Sequence, residues 1–335
     1  MLKVGIIGSG FGLYGLLPAF NAIKDCRVAC ICGKKTNRLL KYCQKIHLDN
    51  IYTDWKQMMQ NEGLDAVALA VPPKIQYQIA KIAIKKNINV FAEKPLTINC
   101  RQAVELYRLA VEKKVVHAVD FIFPEIKAWQ VVKKLLDKNK YGKLKHVSVN
   151  WNFLSYDLRK NISSWKTDIK EGGGALSFFF SHTLYYLEYY AGEIVNLQSS
   201  LSYSKESKNG AEVGVDLLLK FKNLMTGDAH IYINDKGLNR HQLTFICEKG
   251  TIVLENNSNA INNFTVQVLT GKNTKVLFVK KEKPIINSYD GRVVLVKKIA
   301  GRFIKACVDR TPVLPSFSQG LRVQRLIERI REKSI

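Results

Sequence analysis

The sequence predicts an α/β protein with two parts: a doubly wound parallel sheet at the N-terminus, then an α/β domain with an open, mostly antiparallel sheet. Short apolar runs rich in Val, Ile and Ala alternate with helical patterns up to about residue 121. Longer runs with a two-residue period, separated by Gly and Asn, follow beyond that point. The length of 335 residues is also more typical of two domains than of one.

The N-terminal part alternates strands with helices. Strands are predicted at residues 2–7, 27–32, 66–71, 90–92 and 115–121. Helices are predicted between them at residues 36–46, 55–61, 75–86 and 98–113. Apolar strands that alternate with helices are typical of a parallel sheet covered on both faces. We therefore predict a first domain over residues 1–121.

The pattern changes after residue 121. Helices are predicted at residues 125–139, from about 175 to 190, and at 293–308 and 320–333. Strands are predicted at residues 144–154, 195–203, 213–221, 227–234, 242–248, 251–255, 264–269 and 275–280. Such strands, joined by Gly and Asn turns, predict an open sheet in a second domain over residues 122–335. The C-terminal helix is expected to pack back on the first domain.

The composition excludes several classes of protein. Apolar residues make up 47% and charged residues 24%, and no apolar run is long enough to span a bilayer. The N-terminus leads directly into a strand pattern, so we expect no signal peptide and a cytoplasmic location. The seven cysteines contain no Cys-x-x-Cys pair, which indicates reduced thiols and no metal site.

The net charge favours an anionic partner. Lys and Arg number 52 against 28 Asp and Glu, a formal charge of +24. Phosphorylated small molecules, nucleic acid and acidic surfaces are all attracted by such a charge. The basic residues are spread along the chain, so a solvated lysine-rich surface is the simpler interpretation. The sequence has no nucleic-acid-binding motif to support that class of partner.

The run VGIIGSGFGL at residues 4–13 indicates the phosphate-binding turn of a Rossmann domain, because it joins a predicted strand to a helix. Gly8 permits the tight turn, and Gly10 lets the backbone approach a pyrophosphate that lies against helix N-terminal amides. The residues predicted to hold the pyrophosphate are Gly8, Ser9, Gly10, Phe11 and Gly12. A strand-to-helix turn without a ligand is the alternative.

One position departs from the usual glycine spacing. Leu13 occupies the place of the third glycine, which normally permits close packing of the helix on the strand. Gly12 and Gly15 are predicted to supply that approach instead. Pro18 indicates that the regular helix begins late.

The segment after the second predicted strand contains no acid, although NAD binding normally uses a carboxylate there for the ribose hydroxyl. Its cations would attract the additional phosphate of NADP. We therefore predict NADP(H) as the preferred cofactor and NAD(H) as the alternative. The predicted contacts are Gly33, Lys34, Lys35, Asn37 and Arg38. Solvated lysines without a ligand are the other interpretation.

Further motifs follow in a characteristic order: Val71-Pro72-Pro73, then Ala92-Glu93-Lys94-Pro95, then Gly172-Gly173-Gly174 ahead of His182. With the glycine run, they make the chain resemble the Gfo/Idh/MocA oxidoreductases over essentially its whole length. The resemblance implies a Rossmann domain and an α/β domain whose open sheet forms a homodimer or homotetramer. It also implies oxidation or reduction of a hydroxyl or ketone on sugars, sugar nucleotides, inositols or related polyols.

The motifs place candidate residues at the carboxyl ends of strands, where open α/β sheets bind ligands. Val71, Pro72, Pro73, Glu93 and Lys94 are therefore predicted to line the nicotinamide end of the cofactor. Lys94 is predicted to be catalytic, as an electrostatic anchor for the reacting oxygen and as a proton relay. A surface lysine in a turn is the alternative.

His182 is the second predicted catalytic residue, because histidine exchanges protons near neutral pH; a packed core histidine is the alternative. Many similar enzymes have an aspartate four residues earlier and another three residues later. This chain has Phe178 and Tyr185 there, so a simple Asp–His–Lys polyol dehydrogenase is not expected. Ser181, Tyr185 and Tyr186 are candidate hydroxyl partners of His182.

In similar proteins, a Trp and a basic residue before the glycine triplet approach the cofactor or the substrate, which implicates Trp165 and Lys166 in cofactor binding. A Trp face suits a sugar ring, and a lysine suits a phosphate. Trp151 is interpreted as a core residue. The predicted substrate contacts are Lys94, Asp120, Tyr156, Lys166, Phe178, His182 and Tyr185.

The sequence thus predicts an NADP-dependent oxidoreductase that acts on a carbonyl or secondary hydroxyl of a sugar or sugar-nucleotide-like substrate. The alternative is a non-catalytic NAD(P)-binding sensor or assembly protein of the same fold, which Phe178 favours. Neither function involves nucleic acid or a membrane.

Overall fold

The computed structural model describes residues 1–205, 210–285 and 290–334. The chain forms two compact units. The first comprises Met1–Ile122 and Lys283–Gln324, and the second comprises Phe123–Glu282 together with the chain from Arg325 onward. The predicted fold class is confirmed, since the first unit contains a parallel sheet and the second a mostly antiparallel one.

The first sheet is parallel throughout and has the order β3-β2-β1-β4-β5-β6. Its strands are β1 (Leu2–Ile7), β2 (Cys26–Cys32), β3 (Ile51–Tyr52), β4 (Ala66–Leu69), β5 (Asn89–Ala92) and β6 (His117–Val119). The order reverses on either side of β1, which pairs with both β2 and β4. This is the position at which doubly wound sheets bind ligands. The sequence analysis missed β3, which is too short to show a periodic pattern.

Helices cover this sheet, and polar side chains begin several of them. They are α1 (Leu17–Asn21), α2 (Asn37–Lys45), α3 (Trp55–Asn61), α4 (Pro73–Lys85) and α5 (Cys100–Glu112). Thr36, Asp54 and Asn99 accept hydrogen bonds from the first turns of α2, α3 and α5, respectively. A π-helical segment, Gly12–Leu16, precedes α1, which has Pro18 in its first turn. The regular helix therefore begins late, as the sequence predicts.

A late helix, α9 (Val293–Asp309), belongs to the first unit. Phe303 contacts Phe20 of α1 and Phe91 of β5 edge to face, at centroid distances of 6.5 and 5.7 Å. The sequence analysis placed this segment with residues 122–335. Its local pattern gave only an amphipathic helix, and the residues that it covers, Phe20 and Phe91, lie more than two hundred positions earlier. The predicted domain boundary between residues 121 and 122 itself stays a prediction.

The second unit is built on an eight-stranded sheet of order β14-β13-β12-β11-β7-β10-β9-β8. Its strands are β7 (Leu144–Asn152), β8 (Ile194–Tyr203), β9 (Glu212–Phe221), β10 (Thr226–Tyr232), β11 (Arg240–Cys247), β12 (Gly250–Asn256), β13 (Thr265–Thr270) and β14 (Asn273–Leu277). Only β7 and β10 pair in parallel. The α-helices are α6 (Lys127–Asp137), α7 (Tyr156–Arg159) and α8 (Ser181–Ala191), with α10 (Phe317–Glu332) ending in this unit.

The core of the second unit contains a neutral histidine. His241 stacks on Trp151 at a centroid distance of 4.2 Å, and its Nε2 lies 3.0 Å from the hydroxyl of Tyr186. Burial lowers the pKa of His241 to about 3, so this ring is uncharged at neutral pH. Trp151 is partly buried, and its interpretation as a core residue stays a prediction. The hydroxyl of Tyr186 also bonds to Thr183.

A buried ion pair fixes the glycine triplet to the end of the chain. The guanidinium of Arg331, in α10, donates to the carboxylate of Glu212 at 3.0 Å and to the carbonyl oxygen of Gly173 at 3.1 Å. Glu212 is fully buried, and its carboxylate also accepts the backbone N–H of Leu176 at 3.2 Å. A side chain at Gly174 would collide with this carboxylate. The turn that leads to His182 is thus held by charges from β9 and α10.

Replacing Arg331 with alanine is expected to reduce the free energy of unfolding by about 3 kcal/mol, because Glu212 would stay buried without its cation. Adding Glu212→Gln should restore part of the loss. Arg329→Ala is the control, because Arg329 donates to the carbonyl oxygen of Val195 at the surface, and its loss should be below about 1 kcal/mol. Urea unfolding at neutral pH measures all three variants. Equal losses at positions 331 and 329 would contradict the anchoring role.

Candidate active site

The turn after β1 requires glycine at its first position. Gly8 has a φ of 127°, and a Cβ there would collide with the carbonyl oxygen of Ala70 at the end of β4. Its N–H donates to the carbonyl oxygen of Cys32 at 2.8 Å, which ties the turn to the end of β2. No other residue combines this φ with so little space. The position of the loop at residues 8–12, the glycine loop, is therefore fixed by three neighbouring strands.

Gly12 replaces the third glycine of the usual motif. A Cβ at Gly12 would lie 3.3 Å from Cγ2 of Ile6 and 3.7 Å from Cβ of Ala70, so the π-helical segment packs closely on β1. The side chain of Leu13 is buried. Gly15 lies against the ring of Phe11 instead of against the strand. Of the two glycines that the sequence analysis proposed for this approach, Gly12 makes it.

Gly10 is the position that fits a ligand. No protein atom lies within 4 Å of where its Cβ would be, and the residue is exposed. Neither packing nor a positive φ demands glycine here. A glycine that the protein's own atoms do not require is the residue that a pyrophosphate approaching the backbone would need. The glycine loop therefore fits a dinucleotide.

The segment after β2, residues 33–38, lies beside the glycine loop and is called the ribose loop below. A Cβ at Gly33 would lie 2.7 Å from the Cβ of Ser9. The candidate side chains Lys34, Lys35, Asn37 and Arg38 are all exposed. The guanidinium of Arg38 lies 5.1 Å from the centroid of the Tyr14 ring, a cation–π contact. The loop presents cations next to the glycine loop, and its one hydroxyl, on Thr36, caps α2.

The carboxyl ends of β4 and β5 carry the next candidates. Val71 and Pro72 are partly buried ahead of α4, which begins at Pro73. The side chain of Gln76 accepts from the N–H of Glu93 at 3.1 Å and donates to its carbonyl oxygen at 2.7 Å. This pair of bonds fixes the backbone of Glu93 from α4. Gln76 was not a candidate in the sequence analysis, since a lone glutamine in a helix gives no signal.

Charged groups surround the partly buried Lys94. The carboxylate of Glu93 accepts the N–H of Lys94 at 3.1 Å, and the Asp120 carboxyl hydrogen-bonds to Glu93. Burial raises the pKa of Asp120 well above its usual range, and the charge of Glu93 adds to that shift. Lys94 and Arg292 act on Asp120 in the opposite direction. The structure thus groups Asp120, a predicted substrate contact, with Glu93 and Lys94 in the first unit.

Arg292 is a site residue that the sequence analysis missed. Its guanidinium lies 4.4 Å from the centroid of the Phe11 ring and pairs with the carboxylate of Asp290 at 2.6 Å. It also acts on Glu93 electrostatically. Arg292 comes some 280 positions after Phe11, next to no recognisable motif, so only the folded chain reveals it.

In the second unit, aromatic and cationic groups meet at Phe178, where similar enzymes often have aspartate. Trp165 packs edge to face on its ring at 5.3 Å, and Nζ of Lys166 lies 4.8 Å from its centroid. Lys166 also lies 3.8 Å from the carboxylate of Asp157. The N–H of Gly174 donates to the carbonyl oxygen of Lys166 at 2.8 Å, which holds the triplet against this loop. The structure brings Trp165, Lys166 and Phe178 together.

The remaining candidates of the second unit are more scattered. His182 is buried in the first turn of α8, with its ring edge to face on Phe123 at 5.0 Å. Tyr185 is partly buried and stacks on Tyr189 at 6.3 Å. Tyr156 is 58% exposed, and the structure does not group it with Phe178. Nothing in these contacts assigns the three residues a role, which stays a prediction.

Neither a metal site nor a membrane-spanning helix is found among the described residues. No cluster of three His, Cys, Asp or Glu side chains among them has the arrangement of a metal site. Within the same part of the chain, no helix is long and apolar enough to cross a membrane.

Two family models match the chain. One, described as an oxidoreductase family with an NAD-binding Rossmann fold, matches residues 2–121, and the GFO/IDH/MocA C-terminal domain matches residues 129–253. The chain belongs to the Gfo/Idh/MocA family. It is an NAD(P)-dependent oxidoreductase, and the resemblance inferred from the sequence motifs is confirmed.

Relatives of this Gfo/Idh/MocA protein extend over its full length. An uncharacterized oxidoreductase of Synechocystis sp. is 27% identical and covers 98% of this chain and 92% of its own. Levoglucosan dehydrogenase, solved in complex with NADH and L-sorbose, has a TM-score of 0.86 at 19% identity, over 100% of this chain and 97% of that one. A 3-ketoreductase from Actinomadura kijaniata, solved with NADP and TDP-benzene, has a TM-score of 0.83 at 18% identity, over 99% and 98%. These two structures share the fold.

Gly10→Ala is expected to weaken NADPH binding at least about tenfold, because the added methyl group occupies the space through which a pyrophosphate approaches. Stability should change by less than about 0.5 kcal/mol, since no protein atom opposes the methyl group. Gly301→Ala, in α9, is the control: its surroundings are equally open, and alanine there should leave binding unchanged. Cofactor fluorescence and thermal unfolding measure the two effects. Unchanged affinity in Gly10→Ala would show that the pyrophosphate lies elsewhere.

Proposed function

We propose that this protein is an NADP-dependent oxidoreductase that acts on a carbonyl or secondary hydroxyl of a sugar or sugar-nucleotide-like substrate. The observation that carries the proposal is the placement of Lys94 at the carboxyl end of β5, where its charge acts on Glu93 and Asp120, in a Rossmann unit whose glycine loop fits a dinucleotide. The substrate class is supported by the structural relatives, which are named for levoglucosan and for a 3-keto group.

The preference for NADP rests on the ribose loop. Lys34, Lys35 and Arg38 are exposed there, and no carboxylate stands in the loop to bind a ribose hydroxyl. A phosphate on that ribose gains charge-assisted hydrogen bonds from these cations, whereas a plain ribose gains little. The relatives do not decide the matter, since one was solved with NADH and the other with NADP. The preference for NADP is therefore based on the cations of the ribose loop.

The bound nicotinamide would supply or accept the hydride. Lys94 stabilises the substrate oxygen as it gains negative charge, because its ammonium is a positive charge at the carboxyl end of β5. His182 donates a proton to that oxygen in reduction and accepts it in oxidation. With Phe178 in place of the aspartate, no carboxylate at that position orients the ring, so more of the charge stabilisation falls to Lys94.

The cluster of Trp165, Lys166 and Phe178 supports a ring-shaped anionic substrate. The Trp and Phe rings offer apolar faces of the kind on which sugar rings pack, and Lys166 offers a positive charge to a phosphate. A sugar nucleotide combines both features. In the same family context, we propose that the open sheet of the second unit mediates a homodimer or homotetramer.

Lys34→Ala combined with Lys35→Ala is expected to raise the Kd for NADPH about tenfold or more and to leave the Kd for NADH nearly unchanged, because only NADPH carries the additional phosphate. Lys24→Ala, an exposed lysine of the same unit, controls for lost surface charge. Fluorescence titration of the reduced cofactors gives the affinities. Equal or tighter binding of NADH by the unmodified protein would refute the preference.

Turnover should be found by screening NADPH oxidation against keto-sugar nucleotides and free ketosugars. Lys94→Ala and His182→Ala should each lower kcat by about 100-fold or more on the best substrate, because each removes charge stabilisation or proton transfer. Lys86→Ala, an exposed lysine at the end of α4, is the control. Isotope transfer from labelled NADPH separates an enzyme from a sensor, since binding without transfer to any substrate would support the sensor.

A further inference from the structure

Two carboxyl side chains meet where β5 and β6 end. The strands are parallel neighbours with Ala92 paired to Val119, so the next residues of each strand, Glu93 and Asp120, are adjacent. The N–H of Asp120 donates to the carbonyl oxygen of Ala92 at 2.9 Å, which extends the pairing to this position. The two side chains hydrogen-bond to each other. Two ionised carboxylates have no hydrogen to share, so this bond requires a proton on one of them.

The surroundings decide which of the two carries the negative charge. Burial raises the pKa of Glu93 as well, but the charge of Lys94, the N–H of Lys94 that its carboxylate accepts at 3.1 Å, and the charge of Arg292 all favour its ionised form. Gln76 fixes the backbone of Glu93 on both sides. Of the two carboxyl groups, Glu93 is therefore the better stabilised in its ionised form.

Asp120 has the opposite surroundings. It is 2% exposed, and its Oδ1 is buried without a hydrogen-bond partner among the described residues. A buried ionised oxygen without a partner costs far more free energy than the oxygen of a neutral carboxyl group. Burial raises the pKa of Asp120 well above its usual range, Glu93 raises it further, and Lys94 and Arg292 offset only part of this. The proton of the acid pair therefore resides on Asp120.

We infer that Asp120 is a positioning residue that stays protonated and donates its hydrogen bond to the carboxylate of Glu93, so that the acid pair presents a single negative charge to Lys94. This role differs from the substrate contact that the sequence analysis predicted. It rests on the proposed function through Lys94, whose ammonium a second carboxylate charge would hold in a tighter ion pair. A neutral Asp120 leaves a single carboxylate charge, that of Glu93, to oppose a turn of the ammonium toward the substrate oxygen.

The pH dependence of stability tests the proton directly and needs no substrate. Above about pH 4, unfolding the wild-type protein would release the proton that Asp120 keeps in the folded state. Wild-type stability should therefore fall with rising pH relative to Asp120→Asn, whose amide cannot ionise. The melting-temperature advantage of Asp120→Asn should grow from pH 5 to pH 8. Asp25→Asn, which removes an exposed carboxylate of the same unit, controls for the general charge change.

The opposite trend would overturn the inference. A deficit of Asp120→Asn that grows with pH means that Asp120 is ionised and paired with a cation. A difference that does not vary with pH beyond that of Asp25→Asn means that folding leaves its protonation unchanged. Either result would show that Asp120 and Glu93 do not share a proton in the folded protein.

Kinetics on a substrate found by the screen test the positioning. Asp120→Ala should lower kcat about tenfold and shift its pH profile, because Glu93 loses a charge-assisted hydrogen bond. Asp120→Asn should recover most of that kcat, since its amide replaces the donor. The KM for the sugar should stay close to the wild-type value in both variants, whereas a substrate contact would raise it. A raised KM, or no recovery in Asp120→Asn, would overturn the role.

The two proposals fail separately. If no sugar supports turnover by the wild-type protein, the proposed function fails, and the stability measurement still decides whether Asp120 holds the proton. If turnover is found and the stability trend has the wrong sign, only the inference about Asp120 fails.

Discussion

The close approach of the end of β4 to the turn after β1 fixes the position of the glycine loop. The carbonyl oxygen of Ala70 leaves no room for a side chain at Gly8, and the φ there is 127°, so both the space and the backbone conformation require glycine. That turn brings Gly10 to an open surface and packs Gly12 against β1. It also delivers the ring of Phe11 to the guanidinium of Arg292. The glycine loop thus joins a tight backbone contact at Gly8 to an arginine that is distant in the sequence.

In the second unit, Phe178 stands at the position where similar enzymes often have an aspartate, and its ring contacts the cation of Lys166. Nζ of Lys166 lies over the Phe178 ring, an attraction of about 0.5–2 kcal/mol depending on desolvation. The glycine triplet is held by Arg331, which donates to the carbonyl oxygen of Gly173 and pairs with Glu212. Phe178 thus makes ordered contacts with a cation and with the ring of Trp165 at this position.

Local patterns predicted most of the secondary structure, because strands such as β1 are short apolar runs and helices such as α3 follow a capping residue. They could not predict β3, whose two residues show no period, or the placement of α9, which depends on Phe303 reaching Phe20 and Phe91. The motifs predicted Lys94, His182 and the glycine loop as parts of the site. They gave no sign of Arg292 or Arg331, since these act across long sequence separations at positions that resemble ordinary surface arginines.

Local charge at Lys94 is decided by buried neighbours and not by the protein's net charge of +24. Surface charges are screened over about 10 Å at moderate ionic strength, whereas buried groups are screened much less. With Asp120 neutral, Lys94 and Arg292 balance the carboxylates of Glu93 and Asp290. Ionised Asp120 would leave this group with one excess negative charge, which would oppose the growth of negative charge on a substrate oxygen. Because electrostatic stabilisation of that oxygen is the work proposed for Lys94, the proton on Asp120 is what makes the group suited to it.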